Sequence, residues 1–281
     1  MSGESAEIAA EVVRAARGGA PVAVATIVRA PAAHTTERGQ PAMGAKLLVR
    51  ADGSRLGALG GGVFEEAVAE DCRAALTRLP RIQADVRFYS HDGGSMASRS
   101  PESVEVMIEV TERPASLLII GAGHIGQSLA VIGAHAGLVV TVLDDRESFA
   151  NEERFPTAGR VICGDIVEEL GRLAIDETTY VVLVSRGHKQ DEAGLRAVVE
   201  SDAAYVGMIG SKRRVGTVLT HLAQEGYSRD ALERVYTPIG LDIGAETPEE
   251  IAVSIVAEII AVRRGGSGAK LSELRRAKIG E

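Results

Sequence analysis

The sequence contains no tryptophan, and only 3% of its residues are aromatic. A core must therefore be assembled mainly from Ala, Val, Ile and Leu. Cysteine is also scarce: Cys72 and Cys163 are the two present, too few for a disulfide framework, and no Cys/His spacing of the zinc type occurs. A reducing, cytoplasmic location is the expectation. No apolar run reaches the length that spans a bilayer, and residues 1–10 lack the basic stretch and apolar run of a signal peptide or anchor. Basic charge is in deficit, with 31 Lys and Arg against 39 Asp and Glu, a formal net charge of −8. That balance disfavours phosphate backbones, so neither nucleic acid nor a membrane is expected as a partner.

What is present is ordinary for globular chains: 45% hydrophobic and 25% charged residues over a length of 281, enough for two domains of usual size. The first part reads as mixed α/β. Ala6 to Ala16 places Ile8, Ala9, Val12, Val13 and Ala16 on one helical face, ended by Gly18-Gly19. Val22 to Val28 reads as a strand; Lys46 to Arg50 and Arg55 to Leu59 read as a hairpin about Asp52-Gly53. Gly60-Gly61-Gly62 opens a predicted helix over Val63 to Leu79, with Cys72 on its apolar face, and strands follow at Val86 to Tyr89 and Val104 to Val110. From Ser116 onward strands and helices alternate, the pattern of a parallel sheet with helices on both faces. Strands are predicted at Leu117 to Ile120, Val139 to Leu143, Arg160 to Ile162, Tyr180 to Val184 and Tyr205 to Ile209.

The most specific local motif is Gly121-Ala122-Gly123-His124-Ile125-Gly126, set between an apolar strand and a helix expected from about Gln127. Its glycines permit a tight turn and let the backbone approach a pyrophosphate at the positive end of the helix. A second strand closes on Asp144-Asp145, where a ribose-binding acid belongs. The plain alternative is a turn that only packs helix on sheet. Together these features predict a Rossmann-like domain over residues 114–266, after an N-terminal mixed α/β domain over 1–113 and before a basic tail over 267–281.

Ligands of such sheets bind beyond the carboxyl ends of the strands. The loops falling there carry Cys163-Gly164-Asp165, then Arg186-Gly187-His188 with Asp191, then Lys212-Arg213-Arg214. Cations at that edge suit a phosphate or other oxyanion; the alternative is a solvated helix start. His188 reads equally as a ligand-edge residue or a structural one, and Asp191 as its orienting acid or a helix cap. Cys163 admits a thiolate role or a plain structural one. His124 points either across the ligand or to solvent. In the first domain, Gly60-Gly61-Gly62 with Glu65 offers bare backbone N–H groups to an anion, or else simply a permissive helix entry. Thr247-Pro248-Glu249-Glu250 is a capping box opening a helix to Arg263, and the segment Pro238 to Ala245 suits a loop over a pocket between the domains.

These residues resemble the xanthine dehydrogenase accessory factors, whose relatives accompany carbon monoxide dehydrogenase. The resemblance rests on Gly44-Ala45-Lys46, Gly60-Gly61-Gly62 and Glu65, on Gly121 to Gly126, on Arg186-Gly187-His188 with Asp191, on Tyr205 to Arg214, and on Pro238 to Glu250. It implies a protein that binds a molybdopterin-type molybdenum cofactor, protects it during sulfuration and passes it to a molybdenum hydroxylase apoenzyme of xanthine or carbon monoxide dehydrogenase type. A homodimer and a cysteine desulfurase as sulfur donor are further implied partners. Many members place a Cys directly after the glycine pair of the first domain; this chain has Gly62-Val63, so no thiolate contact comes from that loop. The loop Pro31 to Pro41 looks longer than usual and carries no family assignment.

The combined expectation is a cofactor chaperone rather than a catalyst of turnover, with a cleft shared by the domains. The cofactor-binding set is Gly60, Gly61, Gly62, Glu65, Gly121, Gly123, His124, Gly126, Asp144, Arg186, His188, Lys212 and Arg213, and no catalytic or metal-ligating residue is assigned. An NAD(P)-dependent oxidoreductase, or a regulatory module that senses NAD(H), stands as the alternative on the strength of the glycine turn.

Overall fold

A computed structural model of the chain describes residues 3–31, 43–78, 83–90, 92–185 and 187–272. Most of the loop Pro31 to Pro41, and the tail beyond residue 272, lie outside that set. The chain forms two compact units, Met1–Arg113 and Pro114–Glu281.

The first unit runs α1 (Gly3–Ala16), β1 (Val22–Arg29), β2 (Lys46–Arg50), β3 (Arg55–Gly57), α2 (Gly62–Thr77), β4 (Ala84–Tyr89), β5 (Ser95–Met96) and β6 (Val104–Thr111). The six strands form one antiparallel sheet in the order β3-β2-β1-β6-β4-β5. Alternation along β1 decides what covers each face. Val22 and Val24 pack with Ile8 and Ala15 of α1, whereas Ala23, Ala25 and Ile27 pack with Phe64, Val68, Cys72 and Leu76 of α2. Both faces of β1 are thus covered, which is why its residues are buried from Val22 to Ile27, the polar Thr26 included. β3 stops at Gly57, short of the expected Leu59, because the backbone there swings to a φ of +87°. The stretch between Tyr89 and Val104, where the sequence predicts no strand, contains β5, paired back onto Phe88 and Tyr89, and Ser90 N–H donates to the Gly94 carbonyl.

The second unit runs β7 (Ser116–Ile120), α3 (His124–His135), β8 (Val139–Asp144), β9 (Arg160–Cys163), α4 (Ile166–Leu170), β10 (Thr179–Leu183), α5 (His188–Val198), β11 (Tyr205–Met208), α6 (Lys212–Gln224), α7 (Arg229–Glu233), β12 (Val235–Tyr236) and α8 (Pro248–Arg264). All neighbours are parallel, in the order β12-β11-β10-β7-β8-β9. The chain winds outward from β7 through β8 and β9, then returns to the other side of β7 and winds outward again. This is the strand order of dinucleotide-binding folds, with its switch point between β7 and β10. Alternation again assigns the faces. Leu118 and Ile120 meet Leu195 of α5 and Val215 of α6, while Leu117 and Ile119 meet Leu129 of α3 and Ile255 and Ile259 of α8. Each such side chain fully buried contributes roughly 1.5–3 kcal/mol of transfer free energy.

The helix α8 opens as the sequence predicts. Thr247 Oγ1 accepts the Glu250 N–H, the Glu250 carboxylate accepts the Thr247 N–H, Pro248 fills the first turn, and Gly265 ends the helix at a φ of +68°. The fold is therefore α/β, with an antiparallel N-terminal sheet and a Rossmann-like parallel-sheet unit. Among the described residues, no helix is long and apolar enough to cross a membrane.

Candidate ligand site of the Rossmann unit

The three glycines that lead from β7 into α3 do different things. Gly121 sits at a φ of +120°, and a Cβ there would fall 2.7 Å from the backbone of Val184 and Ser185, because the turn passes against the end of β10. A Cβ on Gly126 would lie 2.0 Å from the Gly121 carbonyl oxygen, so that glycine lets the first turn of α3 press onto the strand end. Gly123 is under neither constraint. Its backbone is extended, with φ −74° and ψ −170°, and a Cβ there would meet nothing within 4 Å. Open space thus faces the helix start, where no acidic residue stands in the first turn and no side chain caps the N-terminus. Unpaired N–H groups and the helix dipole favour an anion at such a place. α3 begins at His124 rather than near Gln127, which puts His124, exposed, in that first turn.

Asp144, expected at the sugar, is engaged elsewhere. It is 3% exposed, and its carboxylate accepts Ala122 N at 2.7 Å, Arg146 N at 3.0 Å, and Arg146 Nε and Nη2 at 2.8 Å each. Burial alone would raise this carboxyl, but the Arg146 guanidinium and the two backbone N–H groups outweigh it and hold the group below its ordinary value. Those four bonds fill the acceptor capacity of a carboxylate. A ribose at Asp144 would have to displace Arg146, which is itself stacked 3.9 Å over the Phe149 ring. The neighbouring Asp145 has a side chain 42% exposed and receives the Gln190 amide at 3.0 Å. Sequence reasoning passed over Gln190; its one signal is its place three residues after Gly187, in the first turn of α5.

At the carboxyl edge of the sheet, a cavity of about 530 Å³ is lined by Asp145, Asp165, Ile166, Val167, Gly187, Gln190 and Ala193. A second cavity, of about 390 Å³, opens at the opposite edge, where β11 and β12 begin, and is walled by Tyr205, Arg234 and Tyr236 among others. It touches neither the turn nor the strand ends where such folds hold ligands.

The expected cationic edge separates into parts. Arg186 and the side chains of His188 and Lys212 lie outside the described residues. His188 and Lys212 are the first residues of α5 and α6, so the backbone puts both at helix starts on the carboxyl edge. Arg213 is exposed. Arg214 instead turns inward, with Nη2 3.5 Å from Asp191, whose other oxygen accepts Ser185 N at 3.0 Å. Asp191 therefore braces the strand-end loop and the start of α6.

In the first unit, Gly60, Gly61 and Gly62 have φ values of +122°, +76° and +70°, a run only glycine adopts readily. The anion at this loop is the chain's own. Glu65 Oε2 accepts Leu59 N at 2.6 Å and Gly61 N at 2.9 Å. Cys72 is fully buried on the inner face of α2, and burial pushes its thiol up to about 12. Cys163 is exposed at the end of β9.

Residues 117–259 match the XdhC Rossmann domain, and residues 15–84 match the XdhC and CoxI family. The chain belongs to the XdhC and CoxI family. Among curated proteins, this XdhC-family chain is similar to YqeB, an uncharacterised protein of Escherichia coli strain K12, at 33% identity over 233 residues, 81% of this chain and 42% of YqeB. It is 29% identical to a protein of Bacillus subtilis strain 168 named as a probable component of xanthine dehydrogenase, over 58% of this chain and 47% of the relative. A shorter match, 30% identical over 32% of this chain and 28% of the relative, is to the molybdenum cofactor insertion chaperone PaoD of E. coli K12. The matched stretch spans less than half the length of each of these relatives. The crystal structure of a xanthine dehydrogenase from Bacillus halodurans shares the fold, with a TM-score of 0.53 at 20% identity, over 91% of this chain and 95% of that one.

Proposed function

We propose that this chain is an accessory factor that binds the molybdenum cofactor and aids its insertion into the apoenzyme of a molybdenum hydroxylase of the xanthine or carbon monoxide dehydrogenase type. The observation that carries the reading is the open space at Gly123, facing the uncapped start of α3 in a member of the XdhC and CoxI family. A phosphate ester or diphosphate fits there, because backbone N–H groups point at it and no side chain fills the space. Arg213, exposed at the start of α6, supplies neighbouring positive charge; Arg186, His188 and Lys212 belong to the proposed set by their place in the sequence alone. The name of PaoD, an insertion chaperone for this cofactor, supports the delivery role. The protein acts as a carrier, working as a homodimer and receiving sulfur through a cysteine desulfurase.

The decisive experiment purifies the chain, releases bound small molecules by denaturation and oxidation, and assays pterin fluorescence. It then titrates molybdenum cofactor and measures activation of an apo-hydroxylase. Saturable binding with activation is the expected result. The strand order and glycine turn favour a second reading, an NAD(P)-dependent oxidoreductase or NAD(H)-sensing module. Absence of saturable cofactor binding, together with tight NADH binding and its oxidation by a substrate, establishes that reading instead.

A further inference from the structure

We propose that the outward face of α8 pairs antiparallel with the same face of α8 in a second copy of the chain, about a two-fold axis between Val256 and Ala257. The face follows from spacing. Glu249, Val253, Ala257, Ile260 and Arg264 stand four, four, three and four residues apart, which sets them in one row along a helix. Glu249, Val253, Ile260 and Arg264 are exposed and Ala257 is half-buried, whereas Ala252, Ile255, Val256 and Ile259 fill the core on the other side. Val253 and Ile260 are thus large apolar side chains left in water on a helix that already buries an apolar face. This inference gives a surface to the homodimer of the proposed function and rests on that part of the reading alone.

The order of the row decides the occupant. From either end it runs charge, apolar, small, apolar, charge, with the acid four residues before Val253 and the base four residues after Ile260. In a pair related by a two-fold axis, residue i faces j and j faces i. Antiparallel pairing therefore sets Val253 against Ile260 of the second copy, and Glu249 against its Arg264, at both ends of the interface. Parallel pairing would set acid against acid and base against base, which is disfavoured. Ala257 at the centre lets the two helices approach closely. The other charges of α8 lie off the row: Glu250 is bound into the Thr247 cap, Glu258 accepts the Tyr205 hydroxyl and the Gly240 N–H, and Arg263 is half-buried. α3 packs alongside, with Ser128 Oγ 3.5 Å from Glu249. It contains no Asp, Glu, Lys or Arg, its histidines stand at its two ends, and it exposes Val131. The neighbouring helix thus widens the apolar surface without adding a carboxylate or guanidinium that would repel a second copy.

Sedimentation equilibrium of the full chain, with no cofactor added, provides the test. Wild type forms a dimer. Glu249→Arg and Arg264→Glu each place like charges together at both ends of the interface and weaken the dimer about tenfold or more. Mixed in equal amounts, the two variants pair with each other as tightly as wild type does, because every contact between positions 249 and 264 again joins opposite charges. A folding defect in either variant is not repaired by mixing. Independently, in a Cys163→Ser background, oxidation cross-links a mixture of Val253→Cys and Ile260→Cys but neither variant alone. The inference is overturned if wild type is monomeric, if the charge reversals leave the dimer unchanged, if the mixture associates no better than its components, or if the cysteine mixture fails to cross-link. A monomeric wild type also removes the homodimer from the proposed function. A dimer indifferent to these changes overturns this inference alone, and failure to bind molybdenum cofactor overturns the proposed function alone.

Discussion

Asp144 at the end of β8 accepts the Ala122 N–H inside the glycine turn at 2.7 Å. One carboxylate thereby fixes two neighbouring strand ends, and Arg146 closes over it. Asp144→Ala removes hydrogen bonds to a buried charged group and should cost about 2–3 kcal/mol in urea unfolding. The pH dependence follows from the direction of its shift. The folded-state pKa lies below the ordinary 3.8, so this stabilisation is complete above the unfolded value and is lost as pH falls through the lowered folded value. The stability gap between wild type and Asp144→Asn should therefore be widest above about pH 4 and narrow in more acid solution. A gap independent of pH would show that the carboxylate charge contributes nothing.

The glycine turn makes a prediction by contrast. Gly126→Ala drives a methyl into the Gly121 carbonyl and should destabilise the unit by about 1–3 kcal/mol, as overpacking does. At Gly123 a Cβ meets no atom within 4 Å and the backbone asks for no unusual dihedral, so cooperative melting of Gly123→Val should persist while phosphate-bearing ligands are excluded. Thermal melting and ligand titration of the two variants separate packing from recognition. A Gly123→Val protein that still binds every candidate ligand would make the turn purely structural.

Much of this arrangement can be read from the sequence, for reasons that also explain what cannot. The glycine motif, the apolar strands β7, β8, β10 and β11, and the Thr247 capping box are local patterns whose geometry is set within a few residues. The two-residue strands β5 and β12 are too short to show a period, and only their partners define them. Which of Asp144 and Asp145 faces the turn depends on a register of one residue, and adjacent acids do not announce it. Glu65 and Arg214 show the other limit. Each belongs to a group that reads as a site for an external anion, yet each charge is taken by the chain itself, through Leu59 and Gly61 in one case and Asp191 in the other.

The internal anion at Glu65 leads to its own test. Glu65→Ala leaves the Leu59 and Gly61 N–H groups without their carboxylate and should lower stability by roughly 1–2 kcal/mol. The vacated loop then offers a backbone cradle to small anions. Added sulfate or molybdate should raise the melting temperature of Glu65→Ala more than that of wild type, beyond any general effect measured with Glu66→Ala as a control. Equal responses in the three proteins would show that the loop does not hold anions even when it is emptied.

Neighbouring arginines at the start of α6 provide the sharpest separation of roles. Arg214 faces Asp191, which is 2% exposed and also holds the Ser185 N–H at the end of β10. Removing the guanidinium leaves a buried carboxylate with one partner fewer. Breaking a fully buried pair costs about 3–5 kcal/mol; because the Arg214 side chain is 32% exposed, solvent screens part of that, and about 2 kcal/mol is the expected loss. Arg213, one residue earlier, is exposed and lies at the edge where the fold holds ligands. Arg213→Ala should therefore melt as wild type does, yet bind molybdenum cofactor more weakly and with a shallower dependence on salt. Arg214→Lys, which keeps the charge but not the reach of the fork, should recover part of the stability lost in Arg214→Ala. If Arg214→Ala melts like wild type, the ion pair with Asp191 does not support the fold. If Arg213→Ala keeps full affinity and full salt dependence, that cation belongs to the solvated surface and the ligand's charge is met by the backbone of α3 instead.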